Sequence, residues 1–318
     1  MFCSTIIPTI GRQSLSRAVD SVLRQDLSQD EFEVVVVNDS GQGLPYATWQ
    51  SSDRVRVIDT NRRERSVARN VGSAVARGRF LHFLDDDDWL FPGALAQFQS
   101  LSQTRSGAWY HGNTQLVDRG GRPLIQLQHD IEGNGFIQVM AGEWIPLQAS
   151  MIESGLFFET GGFNPLIAGP EDIDLCRRIA LRGNFVHLDR LVAGIEFGEN
   201  GSTTDQLAHP DMSREAREII LNEPNAFERM RDSASSDYWH GRIVRAYLTS
   251  AMWNLQHKRP FTALSRSLYG VVGLVLAFRH FLSRSFWRAV SRRHDGEAFR
   301  RGLSALNAVT AAPAESQL

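Results

Sequence analysis

Four short apolar runs, at residues 3–8, 33–37, 55–59 and 80–84, punctuate the first third of the chain, and each stops in polar or turn-forming residues. Between the first two, Leu15, Ala18, Val19, Val22 and Leu23 recur at i, i+3, i+4, i+7 and i+8, the stripe of a helix with one buried face. Ser66, Val67, Val71, Ala74 and Val75 predict a second helix with Ser66 as its cap. Pro92 opens a third, where a missing N–H costs little, with Leu95, Phe98 and Leu101 facing inward. Strand and helix in alternation imply an α/β fold whose parallel sheet carries helices on both faces.

The pattern then changes. Residues 108–117 and 123–128 flank Asp118-Arg119-Gly120-Gly121-Arg122, which reads as a glycine-turned hairpin extending the sheet with antiparallel strands. A helix is expected over 171–182, behind Pro170 and stopped by Gly183, with Ile173, Cys176, Ile179 and Ala180 on one face. Beyond Pro224 come long helical stretches of Trp, Tyr, Leu and Arg, so a boundary is expected near residue 224, and 310–318 read as frayed.

Charge divides at the same place. Residues 1–224 carry 20 basic against 30 acidic side chains, and residues 225–318 carry 14 against 6. An acidic body suits a metal-using site, whereas a basic end is drawn to anionic surfaces, commonly phospholipid head groups or nucleic acid, or is simply a solvated arginine face; no nucleic-acid partner is expected here. Segments 238–259 and 260–293 set aromatic and leucine residues against Arg279, Arg284, Arg288, Arg292 and Arg293. They form either an amphipathic surface on an anionic membrane or a helical subdomain with its apolar face turned inward.

The longest apolar stretch, 268–278, is about half the ~20 residues a spanning helix needs. Residues 2–7 lack a basic lead and a cleavage site, so they read as a strand and not a signal peptide. Cys3 and Cys176 lack zinc-ligand spacing and read as small core residues in a reducing cytosol. The expected location is cytoplasmic, with peripheral attachment to the inner face of the membrane through 238–293, and Asn200-Gly201-Ser202 is expected to stay unglycosylated.

Ligands of open parallel sheets bind beyond the carboxyl ends of the strands. Three polar clusters fall there: Pro8-Thr9, Asn38-Asp39-Ser40 and the four aspartates 85–88. Consecutive carboxylates repel, and a divalent cation is the simplest remedy. A two-residue period projects Asp85 and Asp87 to one side, an Asp-x-Asp pair able to offer oxygens to Mg²⁺ or Mn²⁺ while diphosphate completes the shell. Asp86 and Asp88 would then serve a ribose hydroxyl or an outer position; alternatively, the run caps the Pro92 helix through its dipole. No GxxxxGK[ST] surrounds the only lysine, Lys258, and no GxGxxG follows the first strand, which excludes P-loop and dinucleotide-fold enzymes.

In order, Ile6-Ile7-Pro8-Thr9, Val35-Val36-Val37-Asn38-Asp39-Ser40, Ala68-Arg69-Asn70, Phe83-Leu84-Asp85-Asp86-Asp87-Asp88-Trp89, Gly161-Gly162-Phe163, Glu171-Asp172 and Arg178 resemble the family 2 glycosyltransferases over about residues 3–205. The resemblance implies a GT-A fold, with a nucleotide-sugar-binding half (1–107) and an acceptor-binding half (108–224), followed here by the basic helical extension (225–318). It implies inverting transfer from a nucleotide-diphosphate-sugar, a UDP-sugar first, to a hydroxyl of an envelope polysaccharide, lipid-linked glycan or glycoprotein, with Mg²⁺ or Mn²⁺. By position, Thr9 and Asp39 line the base pocket, Arg69, Asp85 and Asp86 serve the nucleotide, Asp87 with Asp85 holds the metal, and Asp172 is the general base.

Helix capping is the plainer role for Glu171-Asp172, and the helix dipole should keep Asp172 ionised. Trp144, Gln148 and Trp109 fall on the acceptor side, where tryptophans stack on sugars or serve as core. The family's histidine-containing segment is replaced by Phe197-Gly198-Glu199-Asn200-Gly201-Ser202-Thr203-Thr204, in which Ser202 or Thr203 would meet phosphate. A sugar-phosphate nucleotidyltransferase would need a basic glycine loop that residues 8–14 do not supply; a non-catalytic carbohydrate-binding protein with this shell is the other alternative.

Overall fold

A computed structural model describes residues 1–60, 62–118, 120–167, 169–196, 219–231, 236–256 and 258–291. The segment 197–204 with its glycosylation sequence, Arg292, Arg293 and residues 310–318 lie outside the described residues. The expected alternation forms: β1 (Cys3–Thr9), β2 (Phe32–Asn38), β3 (Val55–Asp59) and β4 (Phe80–Phe83) are parallel neighbours in the order β3-β2-β1-β4. All of β2 is buried, which is why it reads as an unbroken valine run and not an alternating one.

The faces follow from strand periodicity. Val34 and Val36 pack with Leu15, Ala18, Val19 and Val22 of α1 (Leu15–Leu23), whereas Val35 and Val37 pack with Ala68 of α2 (Arg65–Val75), so the two helices cover opposite faces. Gly72 lets α2 lie directly on the sheet, since a Cβ there would stand 2.5 Å from Ile6 Cγ2 and 2.9 Å from Val37 Cγ2.

Two expected helix starts move. Ser66 does not cap α2: the chain is still extended at Glu64, whose carboxylate accepts from Ser66 N (3.0 Å) and Val67 N (2.8 Å), while Ser66 is buried inside the first turn. Pro92 does not open the third helix either, because Gly93 intervenes in the left-handed region (φ 78°) and α3 (Ala94–Thr104) starts after it. Leu95 and Phe98 of α3 are buried as expected.

The hairpin forms as β6 (Trp109–Val117) and β7 (Pro123–Leu127), after the two-residue β5 (Trp89–Leu90). Beside it lie β8 (Ser150–Glu153), antiparallel to both β4 and β6, and β9 (Phe185–Glu196), parallel to β6 and antiparallel to β5. Helices α4 (Phe136–Met140), α5 (Ser154–Glu159) and α6 (Glu171–Ala180) complete this part. Cys3 and Cys176 are buried free thiols.

His82 and His111 sit wholly inside the sheet, with Gln148 O at 3.0 Å from His82 Nε2 and Ile131 O at 2.7 Å from His111 Nε2. Burial pushes their pKa values down from 6.5 to about 4 and about 3. The unfolded chain therefore takes up protons that the folded chain refuses, and the stability from both neutral rings is complete above the unfolded value and lost as pH falls through it. Each term amounts to about 2 kcal/mol near pH ~5. Denaturant unfolding near pH ~8 and pH ~5 should show His111→Gln losing about 2 kcal/mol less than the wild type; equal losses would contradict the assignment.

After residue 218 come α7 (Ala226–Arg231), α8 (Ser236–Gln256), α9 (Pro260–Leu276) and α10 (Arg284–Ser291). Arg229 bonds Ala180 O (2.9 Å), while Tyr238 donates to Glu143 and Arg242 lies 3.3 Å from it, which seats α7 and α8 on the sheet-bearing body. No helix among the described residues is long and apolar enough to cross a membrane.

Candidate functional site

Three parallel strands end together, so Thr9 of β1, Asp39 after β2 and residues 85–88 after β4 share one edge. Thr9 and Asp86 are bound to each other, the hydroxyl donating to Asp86 Oδ2 at 2.5 Å. Asp39 is turned to the loop before α2: it accepts from Thr60 Oγ1 (2.6 Å) and from the backbone N–H groups of Arg62 (3.1 Å), Arg63 (2.8 Å) and Glu64 (2.5 Å). That carboxylate fixes the loop that delivers α2, and with it Arg69, to the strand ends.

Arg69 is buried, and its fork spans two acids: Nη2 donates to Asp85 at 2.7 Å and Nη1 to Glu171 at 2.9 Å. Arg65 adds a contact to the same Glu171 oxygen at 3.1 Å. The acidic run is thereby tied to the first turn of α6, which also carries Asp172. Two further motifs meet nearby, where Asn70 and Phe163 exchange hydrogen bonds of 2.8 and 2.9 Å. Gly162 is needed there, since its φ is 66° and a Cβ would stand 2.7 Å from Asn70 Oδ1. Arg178 braces α6 by donating to Asp174 (2.8 Å) and Thr160 O (2.6 Å).

Asp172 accepts from Trp144 Nε1 (2.8 Å) and from Ile173 N (2.8 Å). Trp144 therefore belongs to the site. Gln148 does too, donating to Asp85 Oδ2 at 3.0 Å. Trp109 does not: it is fully buried, with Nε1 bonded to Ser150 Oγ at 2.8 Å, so its place is in the core and not against a sugar.

The four aspartates differ electrostatically. Burial opposes ionisation of Asp85, but the Arg69 guanidinium prevails and holds that carboxyl below its ordinary range. Burial raises Asp86 despite its Thr9 and Arg12 partners. Burial and the Asp85 charge push Asp87 up to about 6, and Asp88 is held well above the usual range by burial and its neighbours. Oxygens of Asp85, Asp87 and Asp88 lie within 4.8 Å of one another. Two ligands of one Mg²⁺ stand at most about 4 Å apart, so small side-chain rotations would bring all three to one cation. Hard oxygen donors whose burial and mutual repulsion still raise Asp87 and Asp88 fit such an ion.

Several participants escaped the sequence reading. Arg12 contacts Asp86 (2.6 Å) and Asp87 (2.9 Å). Arg17 donates to Asp87 O and Glu196, both at 2.6 Å, and lies 4.3 Å over the Trp89 ring. Position alone could have flagged Arg12, just past the end of β1. Glu196, far away in sequence at the end of β9, gives no local signal.

Residues 4–129 match the family model described as Glycosyl transferase family 2. The poly(ribitol-phosphate) beta-N-acetylglucosaminyltransferase TarP of Staphylococcus aureus is 31% identical over 123 residues, covering 37% of this chain and 38% of that protein. The GalNAc(5)-diNAcBac-PP-undecaprenol beta-1,3-glucosyltransferase of Campylobacter jejuni is 30% identical over 141 residues, 42% of each chain. The chain thus spans less than half the length of these two curated relatives. The crystal structure of S. aureus TarS 1–349 in complex with UDP-GlcNAc superposes with a TM-score of 0.59 over 88% of this chain and 92% of that one, at 16% identity. The likeness establishes the GT-A fold.

Proposed function

We propose that the chain, whose residues 4–129 match the family 2 glycosyltransferase model, transfers a sugar from a nucleotide-diphosphate donor, a UDP-sugar first, to an acceptor hydroxyl with inversion. One observation carries this reading: buried Arg69 joins Asp85 of the acidic run to Glu171, the neighbour of Asp172, so the two carboxylate groups the reaction needs are held in one network. We assign residues 1–107 to the donor half, 108–224 to the acceptor half and 225–318 to a helical extension.

Thr9, Arg69 and Asp86 are assigned to the nucleotide, and Asp39, whose acceptor positions are taken by Thr60 and the loop before α2, is assigned to shaping the wall of the base pocket. Asp85 and Asp87, joined by Asp88, would hold Mg²⁺ or Mn²⁺. When bound, the cation offsets charge on the diphosphate leaving group. Arg12, half exposed beside Asp86 and Asp87, supplies positive charge to the same acidic edge.

Asp172 is the proposed base. Trp144 and Ile173 each occupy one of its oxygens with a single hydrogen bond, and a carboxylate accepts about four, so capacity remains for an acceptor hydroxyl. The hydroxyl oxygen attacks the anomeric carbon as its proton passes to Asp172 and the bond to the diphosphate breaks, and one displacement inverts that carbon. TarP is named for transfer of N-acetylglucosamine to poly(ribitol-phosphate), and the C. jejuni enzyme for transfer of glucose to an undecaprenol-linked glycan. Both support an envelope or lipid-linked glycan as acceptor here.

A thermal-shift screen of UDP-, GDP- and dTDP-sugars with and without Mn²⁺ tests the reading. A ligand at about a hundred times its Kd adds about 2.7 kcal/mol, which raises Tm by several degrees in a protein of this size. The expected result is such a shift with a UDP-sugar and Mn²⁺; no shift with any sugar nucleotide contradicts the proposal.

A further inference from the structure

Helix α9 is built the wrong way round for a packed helix. Its large apolar side chains Phe261, Leu264, Leu268, Val271, Val272 and Val275 recur at i, i+3, i+7, i+10, i+11 and i+14, one continuous stripe, and every one is exposed, from 53% to 87%. The opposite side holds the small residues Ala263 and Gly270, both buried; a Cβ at Gly270 would meet Leu248 of α8 at 3.0 Å. Small residues seat the helix on its neighbour, and the bulky ones are left outside. On α8, Leu248, Met252 and Leu255 are also exposed at i, i+4 and i+7.

Cations frame this face. Lys258 and Arg259 precede α9, and Arg279, Arg284 and Arg288 follow it, all exposed. On α10, Arg284, Trp287 and Arg288 share the outer side, while Phe286 and Ala289 are buried. Leu282, in the turn between the two helices, is 99% exposed. Residues 236–291 contain eight Lys and Arg against one acid, Asp237, and that acid is engaged by His280.

We propose that the α9–α10 face binds the surface of an anionic phospholipid bilayer, the α9 stripe entering the acyl boundary while Arg279, Arg284 and Arg288 meet lipid phosphates and Trp287 lies at the headgroup level. The charge selects this occupant: a second copy of the chain would bring the same cations against one another, whereas anionic headgroups neutralise them. Stripe and cations together give the two signals that stable surface attachment needs. The inference rests on surface chemistry and is independent of the transferase reading.

Flotation of the full chain with vesicles tests it, using phosphatidylcholine alone and phosphatidylcholine mixed with phosphatidylglycerol. The protein should float with the mixed vesicles, much less with the neutral ones, and be released by salt. Arg284→Gln and Arg288→Gln should each weaken binding about fivefold. The double variant Leu268→Glu/Val272→Glu should lose flotation while keeping the wild-type Tm and donor-induced thermal shift, because both residues are already in solvent. Three results would overturn the proposal: no flotation with anionic vesicles at low salt, full flotation of the double variant, or a lipid-free wild-type dimer that the double variant dissolves, which would give the face to a second copy.

Discussion

Replacing Arg69 with methionine is expected to destabilise the fold by about 3 kcal/mol near neutral pH, the scale seen when one partner of a buried ion pair is removed. Methionine fills much of the same volume, so the loss reports charge and not a cavity. Arg69 is 4% exposed and bonds both Asp85 and Glu171. Without it, Asp85 can rehydrate, being partly exposed, but Glu171 is 2% exposed and is left with the Arg65 contact as its remaining cationic partner among the described residues. The pH dependence has a definite sign. Burial already raises the Glu171 carboxyl; loss of the guanidinium raises it further and lifts Asp85 out of the depressed range in which Arg69 holds it. The variant therefore regains stability relative to the wild type as acid protonates both groups. Denaturant unfolding at neutral and mildly acidic pH measures this; a gap that stays constant or widens in acid would contradict the electrostatic account.

Asp172→Asn is expected to leave donor binding intact and cut turnover by about 10²- to 10⁴-fold, the range attributed to a general base and equivalent to about 3 to 5 kcal/mol of barrier. The amide can still accept from Trp144 Nε1, so the local fold should survive. UDP release from the donor that stabilises the wild type, with glycan or water as acceptor, gives the rate, and the donor-induced thermal shift gives binding. A variant that releases UDP at the wild-type rate would return Asp172 to the helix-capping role, since carboxylates commonly occupy first turns for that reason alone.

What the sequence disclosed follows burial and locality. β1, β2 and β4 are buried throughout or nearly so, and α1 presents a regular apolar stripe, so each reads directly from its spacing. Because those strands are parallel, their polar ends had to converge, and this made Thr9, Asp39 and residues 85–88 legible as one edge. β5 and β8, of two and four residues, are too short to show a period. β9 escaped for another reason: residues 189–190 are exposed and its pairing with β6 shifts register, which blurs its alternation.

The site divides in the same way. Asp85 and Asp87 declare themselves by adjacency, and Asp88 joins them only through the fold. The Arg69–Glu171 pair joins residues 102 apart, and no local pattern marks Glu171 as the partner of a buried arginine. Ser66 is the residue type expected at a helix cap, yet Glu64 captures the free N–H groups because the backbone remains extended there. Trp109 and Trp144 are alike in sequence; depth in the sheet sends one to the core and leaves the other bonded to Asp172.

The most direct test of a metal-assisted nucleotide site at the ends of β1, β2 and β4 is a calorimetric titration of UDP into the wild type and Asp87→Ala, each with and without Mn²⁺. Wild-type binding should tighten with Mn²⁺, and the effect should vanish in Asp87→Ala, whose carboxylate stands with Asp85 and Asp88 in the acidic cluster. UDP binding that ignores Mn²⁺ in the wild type, or that keeps its full Mn²⁺ response in the variant, would contradict the account.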